Sequence, residues 1–485
     1  MSDHEAVIGL EVHVELATAT KMFCACPNEF GAPPNTNVCP VCLGLPGALP
    51  VTNRSAVELA IRFGAAVGSR IGRAIFHRKN YFYPDMPKDF QISQYDEPIC
   101  VGGSVEVPDA GSGDFSTVRL VRAHLEEDTG KSVHVGGSGR IHDADHTLVD
   151  YNRSGVPLLE IVTEPDIRSA EQARGFVNEL RAVLAMLGVS DVKMEEGSLR
   201  VDANVSVRPR GSATLGTKVE VKNMNSVRSV AHALEFEFAR QCRLLDGGGR
   251  VEQETRHWDE VEARTHGMRS KEEAMDYRYF PEPDLVPIAP DPGWVAEIRD
   301  SVPAVMPARR AASIASVSGL GANLAAAVAY TPGLADWVDA EVAAGADSAQ
   351  AYVWASQEVL AHLNETGLGW GAVAPAPGTF VELAALVDDA TLSKKLAREV
   401  LGETLATGRS PREIVDERGL AQISDDDELA AVVADVVAAN PDTVERYKAG
   451  NEKVAGFLVG QVMKATGGKA NPGVVQGLVR SALES

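Results

Sequence analysis

Side chains able to hold a cation or a phosphate recur at every second position in four stretches of this 485-residue chain. In VIGLEVHVEL, residues 7 to 16, Glu11, His13 and Glu15 alternate with Leu10, Val12, Val14 and Leu16. In VRLVRAHLEEDTGK, Arg122, His124 and Glu126 alternate with Val121, Ala123 and Leu125. Near 200, Arg200, Asp202, Asn204 and Ser206 alternate with Leu199, Val201 and Val205; soon after, Lys218, Glu220 and Lys222 alternate with Val219 and Val221. Successive strand residues face opposite ways, so each stretch is expected to bury one face and present a polar row on the other. Solvated strand faces are ordinarily rich in Lys, Glu and Thr; these rows add Asp, Asn, His and Arg. That composition suits a divalent ion with oxygen ligands and a phosphate-bearing substrate. Neither a P-loop nor a G-x-G-x-x-G fingerprint occurs, so a nucleotide would be held by another kind of site.

A second chemistry lies in the cysteines. Cys24 and Cys26, then Cys39 and Cys42, give C-x-C, a loop-like spacer PNEFGAPPNTNV, and C-P-V-C. Thiolates so spaced can converge on one tetrahedral ion, and structural zinc is expected; the alternative is four reduced thiols in a loop. Cys100 and Cys242 stand apart and read as plain thiols. From Arg78 to Ile99, prolines 84 and 87 preclude a regular helix and place Tyr81, Phe82 and Tyr83 beside Lys79 and Lys88 in a fixed loop. Such a loop contacts a phosphate or base, or is an aromatic-stapled surface turn. His142, Asp143, Asp145 and His146 mimic a ligand cluster, but a Gly-rich hairpin tip is where such residues are ordinarily just solvated.

These residues need a scaffold larger than one core, and the length implies two or three domains. The hydrophobic fraction of 45% supports folded cores. No apolar run is long enough for a bilayer, and the opening MSDHE is no secretory leader, so a cytoplasmic protein is expected. The net charge of −22 excludes a broadly basic coat, leaving room for a local basic patch. Ser169 with Gln172 marks a helix start, followed by an apolar stripe from Phe176 to Leu187 and a stop at Gly188. A second helix is expected from near Ser226 to about Leu245. Five prolines in DYRYFPEPDLVPIAPDPGW mark a boundary near 295, and alanine-rich helical spacing follows to about 405.

The stretches LEVHVEL, CPVCLGLPGALPV, RKNYFYPDMPKDFQISQYD, HLEEDTGKS, VDYNRSGVPLLEIVTEPD, KMEEGSLRVDANVSVRP and DYRYFPEPDLVP occur in order. Together they resemble the B subunit of the tRNA-dependent aspartyl/glutamyl amidotransferases, the GatCAB family, over essentially the whole chain. The resemblance implies an α+β fold: an antiparallel-sheet cradle over 1–295, a small helical domain over 296–405 and an all-helical tail over 406–485. It implies a ligase component that activates Glu-tRNA(Gln) or Asp-tRNA(Asn) with ATP as an acyl phosphate. Ammonia, released from glutamine by the amidase partner of a heterotrimer whose third member is a small protein, then displaces the phosphate. Matched residue by residue, the family's magnesium site falls on Glu11, His13, Glu126 and Glu160, and its ammonia path on Lys79 and Lys88. Glu127, Glu196, Arg200, Asp202 and Asn204 are further candidates for the ATP cavity. Cys24, Cys26, Cys39 and Cys42 match zinc-bearing members of the family.

In the tail, residues 411–444 hold two basic and nine acidic residues, and residues 445–480 hold six basic and two acidic. Lys453, Lys464, Lys469 and Asn471 lie in the basic part. Charge alone fits a solvated helical bundle equally well; the resemblance, whose tail grips tRNA, implies contact with an RNA backbone. A noncatalytic zinc-containing tRNA-binding scaffold is the alternative, and it needs no converging metal row. A self-contained glutaminase is disfavoured, since the chain has neither a Gly-flanked reactive cysteine nor a Lys-Ser-Ser arrangement.

Overall fold

Where apolar and polar residues alternate the chain is strand, and where apolar residues recur at helical spacing it is helix. A computed structural model describes residues 3–109, 113–136, 144–268, 277–420, 426–466, 470 and 472–484. It divides into two compact units, Met1–Arg309 and Arg310–Ser485. The strands of the first unit are β1 (His4–Glu15), β2 (Arg70–Ile71), β3 (His77–Asn80), β4 (Phe90–Ser93), β5 (Cys100–Val101), β6 (Ser104–Pro108), β7 (Phe115–Glu127), β8 (Lys131–Val135), β9 (His146–Asp150), β10 (Pro157–Thr163), β11 (Leu199–Pro209), β12 (Val219–Met224), β13 (Thr255–Asp259), β14 (Arg264–Gly267) and β15 (Phe280–Pro281). Its helices are α1 (Arg54–Ala66), α2 (Ala170–Met186), α3 (Val227–Asp246) and α4 (Pro292–Asp300).

The main sheet runs β14-β13-β12-β11-β1-β10-β7-β5-β2, with β6 pairing β7 off this path. The expected α+β class holds. One pairing departs from the antiparallel expectation: β12 and β13 are parallel. The chain between them is α3, and a helical crossover is what lets consecutive strands run the same way. The apolar faces of β1, β7, β10 and β11 join α1, α2 and α3 in one core; Leu10, Val12, Val14 and Leu16 are all at most 1% exposed. α2 is capped by the Ser169 side chain, which accepts from the Gln172 N–H at 3.1 Å. The Gln172 side-chain carbonyl accepts from Arg168 N rather than from Ser169, so the box is offset by one residue.

Two local expectations change. Val121 is exposed, not on the buried face, because the β7–β10 register slips between Val162 and Thr163 and Leu120 takes the inward place. The stretch from Arg78 is not loop throughout: β3 and β4 form a hairpin, and only its connection carries the prolines. The break expected near residue 295 falls inside α4, which packs back on the first unit through core residue Ile298 and through Trp294 under the Arg54 guanidinium. Helices of the second unit form two hydrophobic clusters, one from Ile314 to Leu420 and one from Leu429 to Leu483.

Candidate functional site

Strand order alone aligns the polar rows. Because β11, β1, β10 and β7 are neighbours, Arg200 stands opposite His13, His13 opposite Glu160, and Glu160 opposite His124. Glu126 joins from the next outward position on β7. His13 Nε2 lies 3.6 Å from Glu126 Oε1 and 3.6 Å from Glu160 Oε2, and one ligand atom from each of the three residues falls within 4.8 Å of the others. Donors around an octahedral ion with ~2.1 Å bonds stand about 3.0 Å apart in cis and about 4.2 Å in trans, so the His13 separations fit one ion. Glu126 Oε2 is buried and accepts no hydrogen bond from the described residues, as a carboxylate prepared for a cation would be. Burial opposes charge on His13, but Glu160 and then Glu126 outweigh it and raise the imidazole to about 9. Glu160, although buried, is held well below the carboxylate range by His124 and His13.

The charge of this row is felt by Lys79 on β3. Burial works against its ammonium, yet Glu126 and Glu160 hold it charged beyond the ordinary lysine range, and it lies 4.9 Å from the Tyr277 ring centroid. The Tyr277–Tyr279 segment is tied down by Asn80, whose amide donates to the carbonyls of Tyr277 and Arg278, and by a bidentate Arg78–Glu282 pair of 2.7 and 2.9 Å. Tyr279 stacks on Tyr95 at 4.3 Å between centroids.

Several of the other expected residues occupy two flanks of the same face. On one, Asn204 Nδ2 donates to Glu11 Oε1 at 2.8 Å, Asp202 is opposite Glu11, and Lys222 pairs with Asp202 and Glu220. Glu11 therefore stands outside the three-residue cluster. On the other flank, Arg200 donates to Asp128 at 2.8 Å, with Arg153 at 3.4 Å. Burial would raise the Asp128 carboxyl, but the two guanidiniums keep it below its ordinary value. Glu15 is pushed up to about 7 by burial, with Asp128 adding to the shift.

Glu127 follows Glu126 in the strand and points the opposite way. There it pairs with Lys88 and accepts from Ile92 N at 2.9 Å, beside a cavity of about 200 Å³ that Phe23, Cys24 and Cys42 also line. Lys79 and Lys88 are thus separated: one faces the imidazole–carboxylate cluster, the other this back cavity. Glu196 joins neither; it is paired with Lys193 at 2.9 Å on the surface. Lys453 and Lys464 are exposed, whereas Lys469, Asn471, His142 and Asp143 lie outside the described residues.

The four cysteines converge. Cys24, Cys26, Cys39 and Cys42 bring their sulfurs within 4.8 Å of one another, and Cys39 and Cys42 are 3.9 Å apart. A tetrahedral ion with ~2.3 Å metal–sulfur bonds sets sulfurs about 3.8 Å apart, so the donor set fits zinc. Cys42 is the thiol brought down, to about 5, first by the Cys24 thiol and then, against burial, by the Cys39 N–H and Lys21; Cys24 is correspondingly raised. The spacer is clipped to the chain leading into β10: Asn35 N donates to Asp150 Oδ1 at 2.9 Å and Asn37 N to Asn152 Oδ1 at 2.8 Å.

Three participants escaped sequence reasoning as functional groups. His124 sits 3.2 Å from Glu160 and was visible as a member of the polar row. Asp128 ends the L-E-E-D motif yet carried no periodic signal. Lys21, three residues before the first cysteine, had no signal beyond its proximity.

A family model described as "GatB/GatE catalytic domain" matches residues 6–296, and one described as "GatB domain" matches residues 336–483. The chain is 52% identical over 482 residues to the B subunit of the aspartyl/glutamyl-tRNA(Asn/Gln) amidotransferase of Moorella thermoacetica, covering 99% of this chain and 100% of that one. It is 49% identical to the protein of the same name from Brevibacillus brevis, with 100% of both chains covered, and 51% identical to that of Salinispora arenicola, with 99% and 96% covered. Among the described residues no helix is long and apolar enough to cross a membrane. With both family models matching and half of all residues shared along its full length, this chain belongs to the GatB/GatE family.

Proposed function

We propose that the chain is the activating component of a tRNA-dependent amidotransferase, a carbon–nitrogen ligase with glutamine as nitrogen donor. It works in the cytoplasm as a heterotrimer with an amidase partner and a small third protein. The observation that carries this reading is the convergence of His13, Glu126 and Glu160 near Lys79, in a member of the GatB/GatE family. The reaction is the ATP-dependent conversion of the carboxyl group of Glu-tRNA(Gln), Asp-tRNA(Asn) or both to an acyl phosphate, then to the amide.

His13, Glu126 and Glu160 would hold magnesium, with Glu11 beside them. The ion supplies charge neutralisation to phosphate oxygens during transfer. The chain's own groups do the rest. Lys79 presents a fixed ammonium to the anionic reacting groups, a preorganised donor that needs no rearrangement as charge develops. Arg200, Asp202 and Asn204 line the flanks on which ATP lies. Lys88 with Glu127 guards the opposite side of β7, where ammonia enters. Zinc on the four cysteines is structural: it fixes the loop clipped to the Asp150–Asn152 approach to β10, the strand bearing Glu160. Of the three proposed parts, 1–295, 296–405 and 406–485, the last meets the tRNA backbone through Lys453, Lys464, Lys469 and Asn471.

The test is co-expression with the amidase and the small partner, followed by transamidation of each misacylated tRNA. ATP-dependent appearance of Gln-tRNA(Gln) or Asn-tRNA(Asn) is expected. Tight tRNA binding with no ATP turnover on either substrate would favour the noncatalytic scaffold instead.

A further inference from the structure

Lys21 is 0% exposed, and the neighbouring buried carboxylate, Glu127, is paired with Lys88. Its ammonium donates to Cys42 Sγ at 3.7 Å and to the Tyr151 carbonyl at 3.3 Å. Its backbone is anchored at both ends: Lys21 N donates to the Cys26 carbonyl at 3.0 Å, and the Lys21 carbonyl accepts from Asn53 Nδ2 at 3.2 Å. Gly155, at φ +87°, lies over the stem: a Cβ there would be in van der Waals contact with Lys21 Cδ at 3.5 Å and Cys42 Cβ at 3.4 Å.

An ammonium taken wholly out of water needs an anion nearby. The anion this fold supplies is sulfur. Four neutral thiols offer no charge to meet it, whereas four thiolates on a divalent ion carry a net charge of −2 and themselves need a cation when half-buried. Each group therefore answers the other's cost of burial, and the N–H···S bond directs the lysine's charge to Cys42, the most buried of the four cysteines.

We propose that Lys21 is the built-in counter-cation of the four-cysteine centre, a positioning residue whose positive charge, delivered to Cys42, is required for tight retention of the metal. The inference rests on the zinc reading above. It predicts that the loop's grip on zinc depends on a residue that is not a ligand.

The test uses the purified full chain, zinc-loaded, with Lys21→Met and Lys21→Gln; the second keeps a donor and removes the charge. In competition with a colorimetric chelator, both variants should bind zinc at least about tenfold more weakly than the wild type. With cobalt(II) in place of zinc, Lys21→Met should shift the sulfur-to-metal charge-transfer band to longer wavelength, because a sulfur without its cationic donor gives up charge more easily. A lysine that merely fills space would move neither. Wild-type affinity and an unshifted band in Lys21→Met overturn the proposal, and wild-type affinity in Lys21→Gln overturns the role of charge. Should the variants not fold, the wild-type chain labelled with 15N-lysine and loaded with 113Cd decides. Coupling between the Lys21 ammonium protons and the metal is expected, and an ammonium signal without it overturns the inference. A wild-type chain that binds no zinc at all removes the zinc reading itself, a failure distinct from a loaded chain indifferent to Lys21.

Discussion

His13 and Glu160 are directly opposed across β1 and β10, with Nε2 and Oε2 3.6 Å apart. They are 147 positions apart in the chain, and antiparallel pairing makes them neighbours on one outward face. With Glu126 they form a compact set of two carboxylates and one imidazole, each supplied by a different strand.

Removing any one of the three should abolish activation without unfolding the cradle. Glu126→Gln or His13→Ala is expected to lower ATP-dependent activation at least about 100-fold, the scale of losing a principal electrostatic contact in a transition state. tRNA affinity should stay within about threefold. ADP release in the presence of misacylated tRNA measures the first and filter binding the second; retained ADP release refutes the assigned roles.

At the proposed magnesium site, the ion and a proton would compete for His13. Free of metal, its imidazole titrates at about 9, so it is protonated at neutral pH and must lose that proton to become a ligand. Magnesium affinity should therefore rise with pH up to about 9, by roughly tenfold per unit while the other ligands stay ionised. Calorimetry in buffers of different ionisation enthalpy should detect release of close to one proton per ion at pH 7. A pH-independent affinity would place the ion elsewhere.

Asp128 is held below its ordinary value because Arg200 and Arg153 overcome its burial. A depressed folded-state value stabilises the fold fully above the unfolded value of about 3.9, and that contribution disappears as pH falls through the folded one. Asp128→Asn leaves two guanidiniums without their anion and should cost about 3 kcal/mol at pH 7. Urea titrations should show the gap between wild type and variant closing on acidification; a gap independent of pH would assign the loss to packing.

Stripping zinc should loosen a defined segment. Chelation is expected to release one ion per chain and to raise hydrogen exchange in residues 24–42 and around Asp150–Asn152, which the loop holds. Exchange unchanged in both segments would mean the thiols alone order the loop.

On the proposed role, the tail contributes electrostatically to tRNA binding. Ending the chain after Leu420 keeps the first helical cluster intact and removes the second. This truncation should weaken tRNA binding, and Lys453→Glu with Lys464→Glu should flatten its salt dependence. Full-length affinity in the truncated complex would give the basic tail another purpose.

Much of this was legible in the residue order. Period-two alternation set which side of β1 is apolar, and Leu10, Val12, Val14 and Leu16 are core as that pattern requires. The cysteine spacing likewise announced a convergent set, and capping and periodicity marked α2 and α3. These are local properties, dictated by the geometry of a few consecutive residues.

What only the tertiary structure decided is which rows touch. Alternation says that Glu11, His13 and Glu15 share a face, but strand order and register choose His13 as the one beside Glu160 and Glu126, and hand Glu11 to Asn204 and Glu15 to the surroundings of Asp128. Alternation likewise sends the adjacent Glu126 and Glu127 to opposite sides of the sheet, but only packing gives them His13 and Lys88 as partners. Lys21 shows the limit most plainly. A lysine's burial and its sulfur partner arise from packing among residues 21, 42, 151 and 155, and no pattern within any one of those segments encodes it.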